Sequence, residues 1–578
     1  MEKPLARQTV VSIVLLTLLA FTLRWVGLGA MLPQLPEPDN CYVTQVRLLS
    51  DESPQAQLHR DYAKYPHLIA RVLQLWPAAR PAQAGDSIEQ HLELASQDSL
   101  RPRKLIALLA TLLVPATFLI ALRFMQPGWA LFAAALAATS LLHLDFSQQG
   151  RPHAAAAAFA TLAVVAALRV QRRGSLRDSL WAGLACALAL GTLQSGVAVL
   201  IPLAAAHAFN ATNALGARLR RLSASLFVVA LGIFAFYPFL FDRAQTADPR
   251  LAVEEGGVQQ GYHTVNFADF NGRGFLTVWH TLWSFEPVLL CASALALALL
   301  LHACLRRRLS GSSTRAELFV VLAYALPYLF VIGMYERTFE RFVLPLIPYC
   351  ACLAAWGMSR VFGSLADRPR LALACASLVL ALPTFVAARL SWLHQRQDST
   401  ELAAQWLSEE LQPEAGRMLL MPRLDLPLFR SQRELDEGGV ELAKPWVYPW
   451  VHYQLGLAPD RWTGQRYRMG PLPMYTGTFW NDLRGDPALA LQALDVAYVL
   501  FGTWSDGRET QQGLRILEGL GQVGERVARF APFEDHDGVG RPLWFQETES
   551  TSTPFFLAVL RAKFCGPAIE IFRLKRDG

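Results

Sequence analysis

Long apolar runs recur from residue 9 to residue 392 of this 578-residue chain, and they constrain its fold more than any other feature. A run of roughly 18 or more apolar residues predicts a transmembrane helix, because about 20 residues are needed to cross the hydrocarbon core. From His394 onward no uncharged run approaches that length. The pattern predicts a polytopic α-helical membrane domain over 1–393 and a water-soluble α/β domain over 394–578.

The apolar runs predict about eleven transmembrane helices. They fall near residues 9–29, 105–124, 129–146, 154–170, 180–209, 222–241, 277–305, 318–334, 342–362 and 371–390. The run 180–209 is too long for one untilted span, and it contains Gly191, Gln194 and Gly196. We therefore expect a tight turn between two short helices there. Residues 30–103 would form an outer loop with a short interfacial helix at 68–76.

Basic residues bunch in alternate joints between the runs, for example at 169–177 and 218–221. Joints rich in Lys and Arg are typically cytoplasmic, so the N-terminus is predicted inside and the C-terminal domain outside the cytoplasm. This orientation predicts a multi-pass protein of the inner (plasma) membrane. The formal net charge of +6 then reflects membrane loops. The basic stripe that a nucleic-acid partner would require is not visible in the sequence.

Most of the eight cysteines lie in apolar runs, where they act as small hydrophobic residues. Cys41 and Cys565 lie in polar segments instead. The sequence leaves open whether these two form a disulfide on the oxidising side.

Polar and charged side chains gather in four short segments on the predicted outer face, at 36–40, 62–67, 143–153 and 335–341. Charged groups beside lipid are costly, which makes such clusters candidate sites. In the first segment Asp39 could accept a proton or hold a metal ion, although Pro-Asp-Asn also suits a simple turn. In the second, Lys64 and His67 could contact a phosphate, or the segment could anchor the chain at the membrane interface.

The third segment is a short joint with more ionisable groups than a turn needs, among them Arg151 and His153. The fourth contains Arg337 and Arg341, on the face where arginine is otherwise rare. A spacing of four would allow both to share a helix face and grip one anionic headgroup. The alternative is that each pairs locally with Glu336 or Glu340.

In their order along the chain, these segments resemble motifs of the C-type glycosyltransferases, in particular the branch of protein O-mannosyltransferases and the lipid A aminoarabinose transferase. That family has an Asp, usually Asp-Glu, in its first outer loop, where this chain has Pro38-Asp39-Asn40. Tyr65-Pro66-His67-Leu68 is similar to the family's Tyr-Pro-Pro-Leu segment, and Ser147 to His153 to Ser-x-x-x-Arg-Pro-Asp. Arg341-Phe342-Val343-Leu344-Pro345-Leu346-Ile347-Pro348 is similar to Arg-Tyr-Leu-Leu-Pro-Leu-Ile-Pro. Asn40 replaces the usual Glu, and His153 the usual Asp.

The resemblance implies transfer of a sugar from a polyprenyl-phosphate-linked donor to a lipid, glycan or protein acceptor on the non-cytoplasmic face. By that resemblance Asp39 is the general base or positions the acceptor. The substrate-binding residues would be Lys64, Tyr65, His67, Arg151, His153, Arg337 and Arg341, with the basic ones on the donor phosphate. The residues define no cofactor or metal site, and the replacements at Asn40 and His153 leave dependence on a divalent metal open.

Two other classes of function remain as alternatives. A transporter or flippase of lipid-linked saccharides would have polar groups at mid-membrane depth and repeat symmetry, and the sequence displays neither. A non-catalytic, lipid-binding relative is the second alternative, because Asn40 and His153 depart from the family pattern.

In the soluble domain the periodicity predicts helices at 399–411, 487–494 and 510–520, the first capped by Ser399 or Thr400. Strands are predicted at 417–421, 495–501, 555–560 and 568–574. The aromatic segment 446–475 could stack on sugars or line an interface with the membrane domain. We expect the soluble domain to select the acceptor or cover the site.

Overall fold

The computed structural model describes residues 6–34, 37, 41–51, 53, 56, 59, 61–77, 80–241, 257–260, 263–305, 312–362, 369–411, 416–421, 424–437, 449–471, 481–483, 485–493, 496–503, 508–533 and 553–575. The chain divides into two compact units. The first comprises Met1–Trp25, Cys41–Trp76 and Pro102–Ala388. The second comprises Val26–Asn40, Pro77–Arg101 and Arg389–Gly578.

The first unit is almost entirely helical. Its helices, whole or in part, are α1 (Arg7–Trp25), α2 (Tyr42–Leu48), α3 (Leu68–Gln74), α4 (Ile88–Thr111), α5 (Leu113–Ala121), α6 (Pro127–Ala138), α7 (Leu141–Ser147), α8 (His153–Arg173), α9 (Leu176–Thr192), α10 (Leu200–Ala208), α11 (Leu215–Phe236), α12 (Gly274–Phe285), α13 (Pro287–Leu305), α14 (Ser312–Met334), α15 (Ile347–Val361) and α16 (Pro369–Leu393). Strands β1 (Gly257–Gln260) and β2 (His263–Asn266) form an antiparallel hairpin. Short 3-10 helices cover Gln194–Val199 and Glu340–Leu346.

The apolar helices confirm a multi-pass membrane protein. Among the residues that the structure describes, seven helices are long and apolar enough to cross a membrane, or eight if α6 and α7, which meet at 52°, form one broken span. Two shorter apolar segments, Gln194–Ala208 and Pro287–His302, accompany them. The span number and the orientation predicted from the sequence remain predictions.

The turn predicted within 180–209 is present. Leu193 has an extended backbone, with φ −153° and ψ 142°, between α9 and the 3-10 helix Gln194–Val199. A Cβ on Gly196 would lie 2.5 Å from the backbone of Ala189, so only glycine permits this close return of the chain. The long apolar run is therefore divided into two short segments, as the glycines predict.

The single span predicted over 277–305 is wrong, because the structure breaks it into α12 and α13 at Glu286. Glu286 has φ −128° and ψ 48°, outside the helical region. The residue before a proline is disfavoured in the α conformation, and Pro287 follows directly. The break also frees the Glu286 carboxylate to accept hydrogen bonds from Ser140 Oγ (2.5 Å) and from the Leu142 N–H (2.9 Å).

The second unit contains a five-stranded mixed sheet. Its strands are β3 (Met418–Leu420), β4 (Met469–Pro471), β5 (Tyr498–Thr503), β6 (Gly524–Phe530) and β7 (Ala568–Leu574), in the order β4-β3-β5-β7-β6. The pairs β3–β4 and β3–β5 are parallel, and β5–β7 and β6–β7 are antiparallel. Its helices are α17 (Ser399–Glu410), α18 (Gln432–Glu437), α19 (Pro449–Leu455), α20 (Pro487–Gln492), α21 (Arg508–Val523) and α22 (Phe555–Arg561).

Successive strand residues point to opposite faces of this sheet, and each face has its own core. Leu420, Leu500 and Ile571 pack in one cluster with Leu407 of α17. Leu419, Val499 and Phe572 pack in the other with Ile516 of α21. The alternation therefore places helices on both faces, as expected for an α/β arrangement.

Two sequence predictions fail in this unit. The segment 555–560, predicted as a strand, is helix α22, in which the buried residues Phe555, Ala558 and Val559 follow the helical period. Helix α17 is capped by Asp398 rather than by Ser399 or Thr400. Asp398 accepts from the N–H groups of Thr400 (2.7 Å) and Glu401 (3.1 Å), completing a capping box.

The described part of the aromatic segment packs within the second unit. Trp450 is buried and stacks on Tyr453 at 5.6 Å, while Trp462 stacks on Phe429 at 4.2 Å. His91 lies against this cluster, with its Nδ1 2.6 Å from the Tyr453 hydroxyl. The cysteine pair considered above is not bonded, since Cys41 and Cys565 are both free, buried thiols.

Candidate functional site

The joint between α7 and α8 is buried rather than solvated. Ser140 caps α7 through its Oγ, which accepts from the His143 N–H at 3.2 Å. Pro152 is the N-cap of α8 and fixes the entry to that helix. Arg151 is only 2% exposed and His153 4% exposed. A simple surface turn would leave such polar side chains in water.

Three segments that are distant in sequence meet around His153. The ring of Tyr65 lies edge-on to the His153 imidazole, with centroids 6.1 Å apart. On another side, the ring of Phe342 lies 6.4 Å from the same imidazole. The structure thus brings together the second, third and fourth polar segments of the sequence.

Two glutamines hold the loop that contains Lys64 and Tyr65 by its backbone carbonyls. Gln45 Nε2 donates to the carbonyls of Tyr62 (3.0 Å) and Tyr65 (2.8 Å). Gln194 Nε2 donates to the Lys64 carbonyl at 2.9 Å. Lys64 itself is 5% exposed. It is a buried cation, which differs from the exposed interfacial anchor that the sequence left as an alternative.

His67 belongs to the same loop, and its ring forms a hydrogen bond within that loop. Its Nε2 lies 2.8 Å from the Tyr62 carbonyl, and its backbone N–H donates to Phe236 at 2.9 Å. Burial lowers the pKa of His67 to about 4, so the imidazole is neutral near pH 7 and Nε2 carries the proton. The Nδ1 atom has no hydrogen-bond partner among the described residues.

Arg341 reaches the cluster through its neighbour Phe342. Its guanidinium lies over the rings of Phe339 (4.3 Å) and Phe342 (5.2 Å). The Phe342 carbonyl accepts from the Tyr328 hydroxyl at 3.1 Å, which fixes the start of the 3-10 helix Glu340–Leu346. Because Phe342 also contacts His153, Arg341 lies at the edge of the cluster.

Arg337 is not brought into this cluster in the same way. Its side chain is 58% exposed, and its Nε lies 3.1 Å from the Asp269 carboxylate. The shared helix face expected for Arg337 and Arg341 is wrong, because α14 ends at Met334 and the 3-10 helix begins only at Glu340. The Thr338 hydroxyl donates to the Ile332 carbonyl at 2.6 Å and fixes this change of direction. Among the described residues, Arg337 pairs with Asp269 and Glu336 with Arg273, in place of the alternative Arg337–Glu336 pair. The alternative pairing of Arg341 with Glu340 stays a prediction.

Asp39, the predicted catalytic residue, lies outside the described residues together with Pro38 and Asn40. Its role therefore stays a prediction. Within the part of the chain that the structure describes, no three His, Cys, Asp or Glu side chains are grouped as metal ligands.

Two buried charged residues that sequence reasoning did not assign to the site support the joint. Glu286 binds the start of α7, as described above. Arg24 donates to the Ala20 (2.9 Å) and Ala138 (3.2 Å) carbonyls and lies 3.0 Å from His143 Nδ1. The available signal was their charge within otherwise apolar runs, which is costly and usually functional.

The cluster is suited to hold an anion. Lys64 and Arg151 are buried cations in segments joined through the Tyr65–His153 contact, and Arg341 lies at its edge. A bound anion needs donors of opposite charge, and burial strengthens the attraction between them. Arginine and lysine are the residues that most often provide such donors for phosphate.

Neither known family models nor curated proteins match this sequence. Among solved structures, similar ones are C-type glycosyltransferases, the superfamily that the sequence motifs resemble. One is the Archaeoglobus fulgidus oligosaccharyltransferase in the apo form, with 14% identity and a TM-score of 0.45 over 94% of this chain and 75% of that one. The same enzyme has been solved with an inhibitory peptide and a dolichol-phosphate, with 13% identity and a TM-score of 0.44 over 94% of this chain and 74% of that one.

Another similar structure is ArnT from Cupriavidus metallidurans bound to undecaprenyl phosphate, with 13% identity and a TM-score of 0.42. The match covers 91% of this chain and 97% of that one. At such identities the chemistry of the site has to be inferred from its own residues.

Proposed function

We propose that this protein is a membrane glycosyltransferase that moves a sugar from a polyprenyl-phosphate-linked donor to an acceptor on the non-cytoplasmic face. The observation that carries the proposal is the meeting of three separate polar segments at His153. Lys64 directly precedes Tyr65, Arg151 lies two residues before His153 at the start of the membrane helix α8, and both cations are buried. A phosphate on a lipid tail is an anion that can reach this depth from within the bilayer.

In the proposed reaction the acceptor attacks the anomeric carbon of the sugar while the bond from that carbon to the phosphate oxygen breaks. The acceptor proton passes to Asp39, and the polyprenyl phosphate leaves with the bonding electron pair. Lys64, Arg151 and Arg341 stabilise the charge that grows on the leaving phosphate. Tyr65 and His153 shape the pocket wall, and His67 holds the loop that contains Lys64. Arg337, paired with Asp269 at the surface, has the weakest case as a phosphate ligand.

The acceptor is a lipid, a glycan or a protein, and the second unit selects it or covers the site. The proposal places the protein in the inner membrane, with the C-terminal domain outside the cytoplasm. The motif order and the distribution of basic joints support this orientation.

Release of polyprenyl phosphate from a radiolabelled lipid-linked sugar tests the proposal. The purified wild type should release it, and Asp39→Asn should abolish release while leaving the protein folded and able to bind the lipid. A non-catalytic relative would bind the donor without release in either form. Undiminished release by Asp39→Asn would exclude Asp39 as the base.

A further inference from the structure

A second basic region lies at the other end of α8 from His153. Helix α8 has 21 residues and is therefore about 30 Å long, enough to cross the hydrocarbon core. His153 is at its start and Arg173 is at its end. The basic region around Arg173 is thus on the opposite membrane face from the candidate active site, and it is independent of the proposed function.

The turns α8–α9 and α10–α11 are joined tightly in this region. Asn210 Nδ2 donates to the carbonyls of Val170 (2.8 Å) and Gln171 (3.0 Å), and Asn213 Nδ2 donates to that of Gly174 (3.1 Å). The Arg221 guanidinium also donates to the Gly174 carbonyl. Gly174 adopts a left-handed φ of 57°, and a Cβ there would lie 2.2 Å from Asn213, so glycine is required. These contacts join the two turns into one unit, which is called the base below.

The packing of α9 on α11 brings their basic residues to one level. The Ser225 hydroxyl donates to the Ser179 carbonyl at 2.8 Å, and a Cβ on Gly232 would touch Ala187. The two helices therefore run side by side in the same direction. Arg177 in the first turn of α9 and Arg220 near the start of α11 consequently lie at the same end of the pair.

The guanidinium groups on this base are exposed. Arg169 is paired with Asp178 (3.6 Å) and Arg172 with Glu317 (3.3 Å). Arg177 and Arg220 are exposed, and neither has an ion-pair partner among the described residues. The region therefore keeps a net positive charge directed away from the bundle.

Exposed apolar side chains continue from these arginines toward the bilayer. On α9, Leu180 is 41% and Trp181 57% exposed, and on α11, Phe227, two turns beyond Arg220 on the same helix face, is 64% exposed. Trp181 follows Arg177 by four residues, so both are on one helix face. Cationic groups above apolar and tryptophan side chains match a phospholipid, whose charged headgroup lies above its acyl chains.

We propose that Arg177 and Arg220 bind the headgroup of an anionic phospholipid of this leaflet, with its acyl chain lying against Trp181 and Phe227. Charge complementarity selects an anionic lipid over a zwitterionic one. The bound lipid fixes the end of the α9–α11 pair at the membrane surface.

Native mass spectrometry of the full-length protein from vesicles of equal phosphatidylglycerol and phosphatidylcholine tests this site. The wild type should retain phosphatidylglycerol preferentially. Arg177→Gln combined with Arg220→Gln should lower that retention about thirtyfold, since each basic residue near a membrane surface contributes about 1 kcal/mol. Arg177→Lys with Arg220→Lys should keep most of it. Arg515→Gln with Arg561→Gln removes the same charge from exposed positions of the second unit and should match the wild type.

Wild-type retention by the double Gln variant would overturn the site, as would equal retention of both lipids by the wild type. Displacement of the lipid by free glycerol phosphate would overturn it too, by revealing a simple anion site. If the double Gln variant does not fold, a salt titration of the wild type decides. High salt should release phosphatidylglycerol but not phosphatidylcholine, because salt screens exposed charges. Undiminished retention of phosphatidylglycerol at high salt would contradict the proposal.

Discussion

Arg151 and Arg337 look alike in the sequence, because both are arginines in short joints on the predicted outer face. In the structure they differ in surroundings. Arg151 is 2% exposed beside His153, whereas Arg337 is a surface residue paired with Asp269. Burial gives a charge far more influence on a neighbouring anion, since water no longer screens it.

This contrast predicts unequal effects of two matched substitutions. Arg151→Gln should lower the initial rate of sugar transfer about a hundredfold or more, the range seen when one preorganised donor is removed. Arg337→Gln should lower it less than about threefold, by the weak worth of a surface charge pair. Initial rates with radiolabelled donor check this. Equal losses in the two variants would return Arg337 to the phosphate site.

His67 predicts a pH dependence of stability. Unfolded histidine takes up a proton below about pH 6.5, but burial keeps the folded pKa of His67 at about 4. Between those values the unfolded chain binds more protons, so stability falls as the pH is lowered, by about 2 kcal/mol at pH 5. Above about pH 6.5 the group contributes no pH dependence.

The thermal midpoint in detergent, measured from about pH 7 to about pH 5, should therefore fall more for the wild type than for His67→Gln. The exposed His452 provides the control, and His452→Gln should follow the wild-type curve. Parallel curves for wild type and His67→Gln would show that His67 is not held neutral by burial.

At the residue scale, the sequence identified the polar groups but could not rank them. Lys64, Arg151 and His153 are candidates because they lie between apolar runs, and that position can be read directly from the sequence. The burial that separates Arg151 from Arg337 depends on tertiary packing. The sequence does not mark Glu286 as a candidate, because it lies inside an apolar run long enough to predict one span.

At the scale of elements, Glu286 links the break between α12 and α13 to the start of α7. Its carboxylate accepts from Ser140 and from the first turn of α7, and α7 leads directly into Arg151 and His153. An acidic group at a helix N-terminus also meets the positive end of the helix dipole. Glu286 is therefore a positioning residue for the joint.

Glu286→Ala should lower the free energy of unfolding by about 1–3 kcal/mol, because two buried donors lose their acceptor. Glu286→Gln keeps a carbonyl oxygen in place and should lose less. The thermal midpoints of both variants in detergent measure this. An unchanged midpoint for Glu286→Ala would mean that α7 is held by other contacts.

Elements were predictable where one pattern dominated. The strand β7 is predicted with its observed bounds, because it is short and rich in the strand-forming residues Ile569, Ile571 and Phe572. The helix α22 was read as a strand because its seven residues are mostly apolar, and a short apolar run does not reveal its period. The edge strand β6 is not predicted, since Arg526 and Arg529 make its sequence look like that of a polar loop. In the structure both arginines pair with Glu570 of β7.

At the scale of the whole molecule, the membrane helix α8 connects two chemically different ends. Its first residue lies in the proposed donor site, and its last residue lies in the basic region of the opposite face. The order of the motifs was readable from the sequence, because order is a property of the chain. Their meeting at His153 depends on how the helices pack, and this was not readable from the sequence.

The central claim is that Lys64, Arg151 and Arg341 together hold one donor phosphate, with Asp39 beside it. An experimental structure with bound polyprenyl phosphate tests it most directly. The phosphorus should lie within about 6 Å of the Arg151 guanidinium and the Lys64 ammonium, the range over which opposite charges interact strongly. The Asp39 carboxylate should face the same cavity. A phosphate bound elsewhere would contradict the account, as would Asp39 more than about 15 Å from both Arg151 and Arg341, since one extended residue reaches only about 3.5 Å.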